Sequence, residues 1–169
     1  MPHICQFPEN RLENLLFHRV LWIREFAMKI STKGRYALCV MLDLAEHCNE
    51  GLISLKDISD RQNISKKYLE QIVALLNRPG ILKTVRGSRG GYALARTPDK
   101  YTVGEILELA EGSLSPVPNL EDPSELAATA DSQFLPVWQG LYEVVNSYLS
   151  GITLRDILDR QMEGYDYSI

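Results

Sequence analysis

The sequence predicts a mainly α-helical fold that carries one small β-hairpin. Apolar residues recur at three- and four-residue spacing along most of the chain, and a serine or threonine precedes most of these stretches, as is typical of capped amphipathic helices. One glycine-rich segment separates two short alternating runs, which is typical of a hairpin. With 169 residues, 45% of them hydrophobic, the chain is long enough for one domain with a core and an attached helix.

Residues 1–27 precede the first strong helix signal. They are interpreted either as an extra amphipathic helix or as an extension from an upstream start codon, because Met28 opens a stretch that is typical of a natural start. Charged residues interrupt the apolar runs, so a secretory signal is not expected. No apolar run reaches the roughly 18 residues of a membrane span. The three scattered cysteines, Cys5, Cys39 and Cys48, do not suggest a disulfide framework, and we expect a cytoplasmic protein.

Three helices are predicted ahead of the hairpin, each introduced by a hydroxyl side chain that can cap its N-terminus. Their expected spans run from Ser31 or Thr32 to about His47, from Ser54 to the "RQNIS" turn, and from Ser65 to about Arg78. The second helix, the tight turn and the third helix together predict a helix-turn-helix over about residues 55–78. The letters "GLIS" between the first two helices are a short strand candidate.

The segment "LKTVRGSRGGYALAR", residues 82–96, predicts the hairpin. Its glycines permit positive φ angles in the turn. A phosphate loop of a nucleotide-binding protein would lie between a strand and a helix and end in GK[ST], and neither condition holds here. A basic hairpin directly after a helix-turn-helix is typical of the wing of a winged helix-turn-helix domain. We expect that domain to span residues 28–112.

The C-terminal third begins with a proline-containing acidic linker at residues 113–133. Before it, Thr102 and Glu105 predict a capping box for a helix that Gly112 ends. After it, apolar residues at alternating steps of four and three predict one long helix with a coiled-coil-like stripe, formed by Phe134, Trp138, Leu141, Val145 and Tyr148. Pairing with a second copy would cover this stripe, so residues 134–162 are predicted to dimerise, although packing within the same chain remains an alternative. Thr153 is expected to cap a short last helix around residues 156–160, and residues 163–169 are expected to form a flexible tail.

The charges divide the chain into unlike halves. Residues 28–100 carry 13 Lys and Arg against 7 Asp and Glu, whereas residues 101–169 carry 2 against 12. A basic winged domain predicts binding to double-stranded DNA, with the third helix in the major groove. The residues expected to contact DNA are Lys33, Arg35, Ser65, Lys66, Lys67, Tyr68, Gln71, Arg86, Ser88 and Arg89. Among them, Gln71 is a candidate adenine reader and the lysines are candidate phosphate contacts, while Tyr68 could instead pack in the core.

Five segments in this order resemble the Rrf2 family of bacterial winged-helix regulators: "MKISTKGRYAL", "ISKKYLEQIVALL", "VRGSRGGYALAR", "TVGEILELAEG" and "SGITLRDIL". Some members of that family hold an iron–sulfur cluster through three closely spaced cysteines in the linker. This linker contains no cysteine, and Ser132 stands about where the last of them would be. The resemblance therefore implies a homodimeric regulator with no cofactor.

Among cluster-free members, the chain is most similar to repressors of cysteine and sulfur metabolism genes. The shared features are the opening "MKISTKGRY", the "SPV…LED" linker and an aromatic tail that ends in isoleucine. The resemblance implies cysteine synthase as a partner. The tail residues Asp166, Tyr167, Ser168 and Ile169 offer a free carboxylate for capture by that enzyme, although a frayed terminus without a role is the alternative.

An enzyme and a sensing regulator are the two alternative classes of function. No catalytic motif supports an enzyme. A redox- or small-molecule-sensing regulator of another set of genes would use Cys39 or Cys48 as its sensing thiol, which requires an exposed cysteine with a lowered pKa. The apolar neighbours of Cys39 in the sequence, Leu38 and Val40, predict burial instead.

Overall fold

A computed structural model describes residues 29–77, 80–87, 90–118, 120 and 130–165. Within these ranges the chain forms six α-helices: α1 (Thr32–Glu46), α2 (Leu55–Gln62), α3 (Lys66–Asn77), α4 (Val103–Glu111), α5 (Leu135–Ser150) and α6 (Leu154–Tyr165). One antiparallel pair of strands, β1 (Leu82–Val85) and β2 (Gly91–Leu94), lies between α3 and α4. The predicted fold class, mainly α with a small β wing, is confirmed. The N-terminal extension and the four tail residues lie outside the described residues.

The predicted capping serines and threonines define most helix starts. The hydroxyl oxygens of Ser31, Ser54 and Thr102 accept hydrogen bonds from the backbone N–H three residues on. The capping box at Thr102 is only half formed, because the carboxylate of Glu105 accepts a hydrogen bond from Arg96 and not from the backbone of Thr102. A reciprocal box forms instead at Thr153 and Asp156, and it begins a helix that extends beyond the predicted residues 156–160.

The main core lies between α1, α3 and α4. It is built from the apolar faces that the three- and four-residue spacing predicted, with Met41, Leu69 and Ile106 all fully buried. Tyr101 is also fully buried, and its hydroxyl donates to the carbonyl of Ile81 at 2.7 Å and accepts from the N–H of Arg96 at 2.8 Å. This one side chain therefore joins the start of β1 to the end of β2.

A buried ion pair fixes α2 against α1. The carboxylate of Asp43 in α1 is buried and receives two hydrogen bonds from the Arg61 guanidinium, at 2.9 and 2.6 Å, and a third from Gln62 at 3.0 Å. Burial alone would raise the pKa of Asp43, but these hydrogen bonds outweigh it and lower that pKa below its ordinary value. The first helix of the helix-turn-helix thus takes its position from a polar contact at its C-terminal end.

The hairpin is attached to the helices through Ile53, in the predicted "GLIS" strand. Ile53 and Tyr92 exchange two backbone hydrogen bonds of 2.9 and 2.8 Å, so a single bridge pairs Ile53 with β2. The backbones approach so closely that a Cβ on Gly91 would lie 2.5 Å from the carbonyl oxygen of Ile53. Glycine at this position therefore permits the contact that sets the wing beside α2.

The C-terminal helices make different contacts. Helix α5 has no buried residue, whereas α6 returns to the core, where Leu154 is fully buried. Two backbone hydrogen bonds accompany this return, from Val103 to the carbonyl of Ile152 at 2.8 Å and from Leu154 to the carbonyl of Tyr101 at 3.0 Å. The terminal helix therefore packs on the winged domain, although the sequence analysis grouped it with α5. None of the helices in the described ranges is long and apolar enough to cross a membrane.

Candidate nucleic-acid interface

The exposed face of α3 carries polar side chains at its N-terminal half. Leu69, Ile72, Val73 and Leu76 turn inward, so the amphipathic helix presents Lys66, Lys67, Glu70 and Gln71 to solvent together with the preceding Ser65. No acidic residue lies in its first turn. Lysine side chains and free backbone N–H groups at a helix start both attract phosphate. Gln71, one turn further on, is exposed and carries an amide of the type that pairs with adenine.

Tyr68 occupies a position between the core and the surface. It is half-buried, packs against the main core and meets the ring of Tyr36 edge-on, with 5.5 Å between the ring centroids. The ring of Tyr68 therefore packs inward, as the alternative in the sequence analysis predicted. This contact also ties α3 to α1, which brings the start of α1 to the same side of the domain.

Helix α1 contributes Lys33 and Arg35, both exposed in its first turn. The amides and dipole of a helix start favour phosphate, but the structure places a carboxylate at this one. Glu111, the last residue of α4, accepts hydrogen bonds from both the N–H and the hydroxyl of Ser31, each at 2.8 Å. A Cβ on Gly34 would overlap this carboxylate, so the glycine makes room for it. Both basic side chains are exposed, and the Arg35 guanidinium donates a hydrogen bond to the Thr32 hydroxyl at 3.4 Å. Glu111 takes the anion position at the helix start.

In the wing, Arg86 follows β1 and is exposed. Ser88 and Arg89, predicted to lie at the tip, fall outside the described residues. Between the wing, α3 and the start of α2 lies an open groove of about 800 Å³, whose lining includes Arg86, Lys66 and Glu70. A hydrogen bond of 2.9 Å from the Thr84 hydroxyl to the Asn77 side chain joins the wing to the end of α3. Sequence reasoning missed this groove and the Lys56 side chain that lines it.

The cysteine side chains differ in exposure. Cys39 is half-buried in α1, and burial raises the pKa of its thiol, which disfavours the reactive thiolate. Cys48 is exposed just after α1. Within the ranges that the structure describes, no three His, Cys, Asp or Glu side chains come together as metal ligands.

The exposed apolar face of α5 has a heptad-like spacing. Its members are exposed over 40 to 68% of their surface and recur in steps of three and four: Phe134, Val137, Leu141, Val144 and Tyr148. Of the predicted stripe, Trp138 instead packs on Val117 and Leu120, and Val145 is half-buried. The predicted stripe is thus divided between a face that packs within the chain and a face that is left exposed.

A winged helix-turn-helix with a polar third helix and a basic wing defines a DNA-binding transcription regulator. The chain belongs to the Rrf2 family, whose model, described as "Iron-dependent Transcriptional regulator", matches residues 30–160. It is 41% identical over 145 residues to the HTH-type transcriptional regulator CymR of Bacillus subtilis, which covers 84% of this chain and 100% of that protein. It is 36% identical over 133 residues to the regulator IscR of Aliivibrio salmonicida, covering 78% of this chain and 77% of that one. These relatives are transcriptional regulators and not enzymes.

Solved structures agree with the sequence relatives. The global cysteine regulator CymR (YrzC) of B. subtilis superposes with a TM-score of 0.60 at 40% identity, covering 78% of this chain and 97% of that chain. The IscR of T. potens superposes with a TM-score of 0.65 at 40% identity, covering 80% and 90% respectively.

The residues of this chain do not fit an iron–sulfur cluster in the linker. Its cysteines are Cys5, Cys39 and Cys48, so residues 113–133 contain none. Thiolates are the ligands that such clusters require in most proteins. Cys39 lies in α1 and packs against the main core, where it cannot supply a linker ligand.

Proposed function

We propose that the chain is a homodimeric repressor that binds DNA at genes of cysteine and sulfur metabolism. The observation that carries DNA binding is the exposed polar start of α3 beside the basic wing. The support for genes of cysteine and sulfur metabolism is the similarity to CymR over that protein's whole length, because the B. subtilis CymR is described as a global cysteine regulator. Repression follows if the bound dimer covers a promoter.

The interface divides by chemistry into base contacts and backbone contacts. Gln71 projects from the second turn of α3, where a bidentate amide contact would select adenine. Lys66, Lys67 and Arg86 would neutralise phosphates and fix the register of the helix in the major groove. Arg35 and Lys33 would reach the backbone beside α1. The wing residues Ser88 and Arg89 belong to the same proposal.

Dimerisation supplies the second half-site. One winged domain reads few base pairs, and two-fold dimers read two half-sites about one or more helical turns apart. The exposed face of α5 has the a/d spacing by which a parallel or antiparallel helix pair excludes water. An unpaired apolar face of this kind is costly in a monomer, which supports pairing with a second copy.

The test is selection of bound fragments from the organism's own genomic DNA. Purified protein is mixed with sheared DNA, and retained fragments are sequenced. We expect one two-fold symmetric motif upstream of genes for cysteine and sulfur metabolism, and derepression of those genes in a deletion strain. A symmetric motif at unrelated genes would reject the proposed regulon, and retention without any shared motif would reject sequence-specific regulation.

Cysteine synthase is the proposed partner, recognised through the tail Asp166–Ile169. Its support is the sequence pattern of the tail, in which an aromatic segment is followed by Ile169. Purified cysteine synthase should bind the intact chain, and removal of the last four residues should abolish that binding. A matched control replaces Ser168 with alanine and keeps the carboxylate. Equal binding by the intact and shortened chains would remove the tail from the proposal.

The second candidate is a redox-sensing regulator, and the exposure of Cys48 is the observation that favours it. In that case mild oxidation should weaken DNA binding, and Cys48→Ser should abolish the effect. Cys39→Ser serves as the comparison, because burial keeps that thiol protonated. DNA binding that is insensitive to oxidation would exclude this candidate.

A further inference from the structure

Lys56 lies in α2, outside the α3 and wing residues that the sequence analysis assigned to DNA. It is the second residue of the helix and is exposed, and it lines the same groove of about 800 Å³ as Lys66 and Arg86. Three elements therefore bring one cation each to this groove: the start of α2, the start of α3 and the end of β1. Among the described lining residues, Glu70 is the one acidic side chain.

The local structure does not account for a lysine at this position. A cation in the first turn of a helix is opposed by the positive end of the helix dipole. The neighbouring carboxylate of Asp57 is hydrogen-bonded to the Ser54 hydroxyl at 2.7 Å, and Lys56 forms no ion pair within the described part of the chain. The charge of Lys56 therefore has no protein partner in the described part of the chain, and it faces solvent, where it is available to a bound polyanion.

The hairpin forms one wall of the groove, where Thr84, Val85, Arg86 and Tyr92 lie beside glycines. Gly90 and Gly91 line it, and a Cβ on either residue would collide with neighbouring carbonyl oxygens. These glycines therefore permit the close backbone packing of the hairpin beside Arg86, the cation that this wall contributes to the groove. The groove is open to solvent and larger than a single phosphate group requires, which suits a stretch of sugar–phosphate backbone.

We infer that Lys56 is a further DNA-binding residue, which holds the backbone strand that runs between α3 and the wing. This inference rests on the proposed DNA-binding function. The first helix of the helix-turn-helix then contacts a phosphate directly through a side chain. The DNA backbone strand lies in the groove between α2, α3 and the wing. Because the contact is to phosphate, it adds affinity on every sequence and carries no base preference.

The experiment measures the salt dependence of binding to a duplex of mixed sequence, so that the operator need not be known. Association constants of the full chain and of Lys56→Gln, Arg86→Gln and Lys83→Gln are determined by fluorescence anisotropy across a range of salt concentrations. Lys83 is the matched control, because it is an exposed lysine on β1 that lines a different groove, beside Pro98 and Arg96.

Lys56→Gln should lower the slope of log K against log salt by about 0.9 for each copy bound, as expected for one phosphate contact, and Lys56→Arg should restore it. Lys83→Gln should keep the slope of the unchanged protein. Lys56→Gln should lower the association constant by the same factor on a duplex that carries the selected motif. Thermal unfolding of Lys56→Gln should match that of the unchanged chain, because the side chain is exposed.

A Lys56→Gln slope equal to that of the unchanged chain, while Arg86→Gln lowers it, would overturn the inference and leave the proposed function standing. An equal loss in Lys83→Gln would also overturn it, since it would reduce the effect to net charge. Failure of the unchanged chain to bind any duplex would instead reject the proposed function itself.

Discussion

Asp43 illustrates how one buried residue positions the first helix of the helix-turn-helix from inside the protein. It is buried in α1, yet its partners Arg61 and Gln62 come from the last turn of α2. Both carboxylate oxygens are occupied by the guanidinium, so the pair fixes the orientation of α2 as well as its distance. The helix whose first turn carries Lys56 is thereby anchored at its other end.

Asp43→Asn should lower the free energy of unfolding by about 2 kcal/mol, because it leaves the Arg61 charge without its carboxylate. The loss is smaller than the roughly 3–5 kcal/mol expected for a fully buried pair, since Arg61 keeps 33% of its side chain in water. The lowered pKa of Asp43 means that its contribution is complete above the unfolded-state pKa of about 3.9 and is lost as the pH falls through the folded value.

Urea unfolding of both proteins from neutral to acidic pH measures this difference. The gap between the unchanged protein and Asp43→Asn should be constant near neutrality and narrow below about pH 4. Asp159→Asn provides the comparison, because its ion pair with Arg155 is exposed and should contribute little. If the difference in unfolding free energy between the two proteins stayed the same at acidic pH, it would contradict the lowered pKa of Asp43.

Gln71 is the residue at which base selection is expected. Gln71→Ala should reduce discrimination at one base pair by about 1–3 kcal/mol, with little change on duplexes of mixed sequence. Competition assays with single-base variants of the selected motif measure it, and Arg86→Ala serves as the contrasting variant, which should weaken all sequences alike. Loss of affinity on every duplex with Gln71→Ala would show that this side chain does not read a base.

At the scale of elements, the wing depends on the close contact between β2 and Ile53. Gly91→Ala forces a Cβ to within 2.5 Å of the Ile53 carbonyl unless the backbone moves. We expect the substitution to destabilise the fold by about 1–3 kcal/mol and to weaken DNA binding, because the wing must shift away from α2.

Gly140→Ala is the matched control, since an added Cβ meets no atom within 4 Å there and alanine favours the helix. Thermal unfolding and anisotropy titrations report the two effects separately. Normal stability and normal affinity in Gly91→Ala would show that the Ile53 bridge does not determine the position of the wing.

At the scale of the whole molecule, α5 exposes an apolar face to solvent, whereas α6 packs against the core through Leu154. Leu141→Asp places a carboxylate at the centre of that face, where it would be buried between two copies. Analytical ultracentrifugation should show a dimer for the unchanged protein and a monomer for this variant, which should also bind operator DNA more weakly.

The design includes Glu143→Gln, which changes a neighbouring exposed side chain outside the apolar face and should leave the dimer intact. Because Leu141 is already 40% exposed in the single chain, its substitution should not unfold the domain. A monomeric unchanged protein, or a dimeric Leu141→Asp variant, would contradict the proposed pairing of α5.

The sequence by itself determined the order of elements and the helix starts. The signals were local: a hydroxyl cap at Ser31, Ser54 or Thr102 acts within three residues, and the apolar spacing of α3 repeats within two turns. The glycine-rich turn likewise indicated the hairpin from adjacent residues. Polar residues at the start of α3 and Arg86 were found for the same reason, because their exposure follows from the helix and hairpin pattern.

Only the tertiary structure decided which distant residues meet. Glu111 reaches Ser31 across 80 positions, and it occupies the start of the helix whose Lys33 and Arg35 the sequence analysis assigned to DNA. The carboxylate of Glu105 pairs with Arg96 rather than completing a cap, and α6 packs on the winged domain. The groove that contains Lys56 is formed by three elements at once. Periodicity and capping describe neighbours along the chain, whereas these contacts depend on how the packed helices bring remote side chains together.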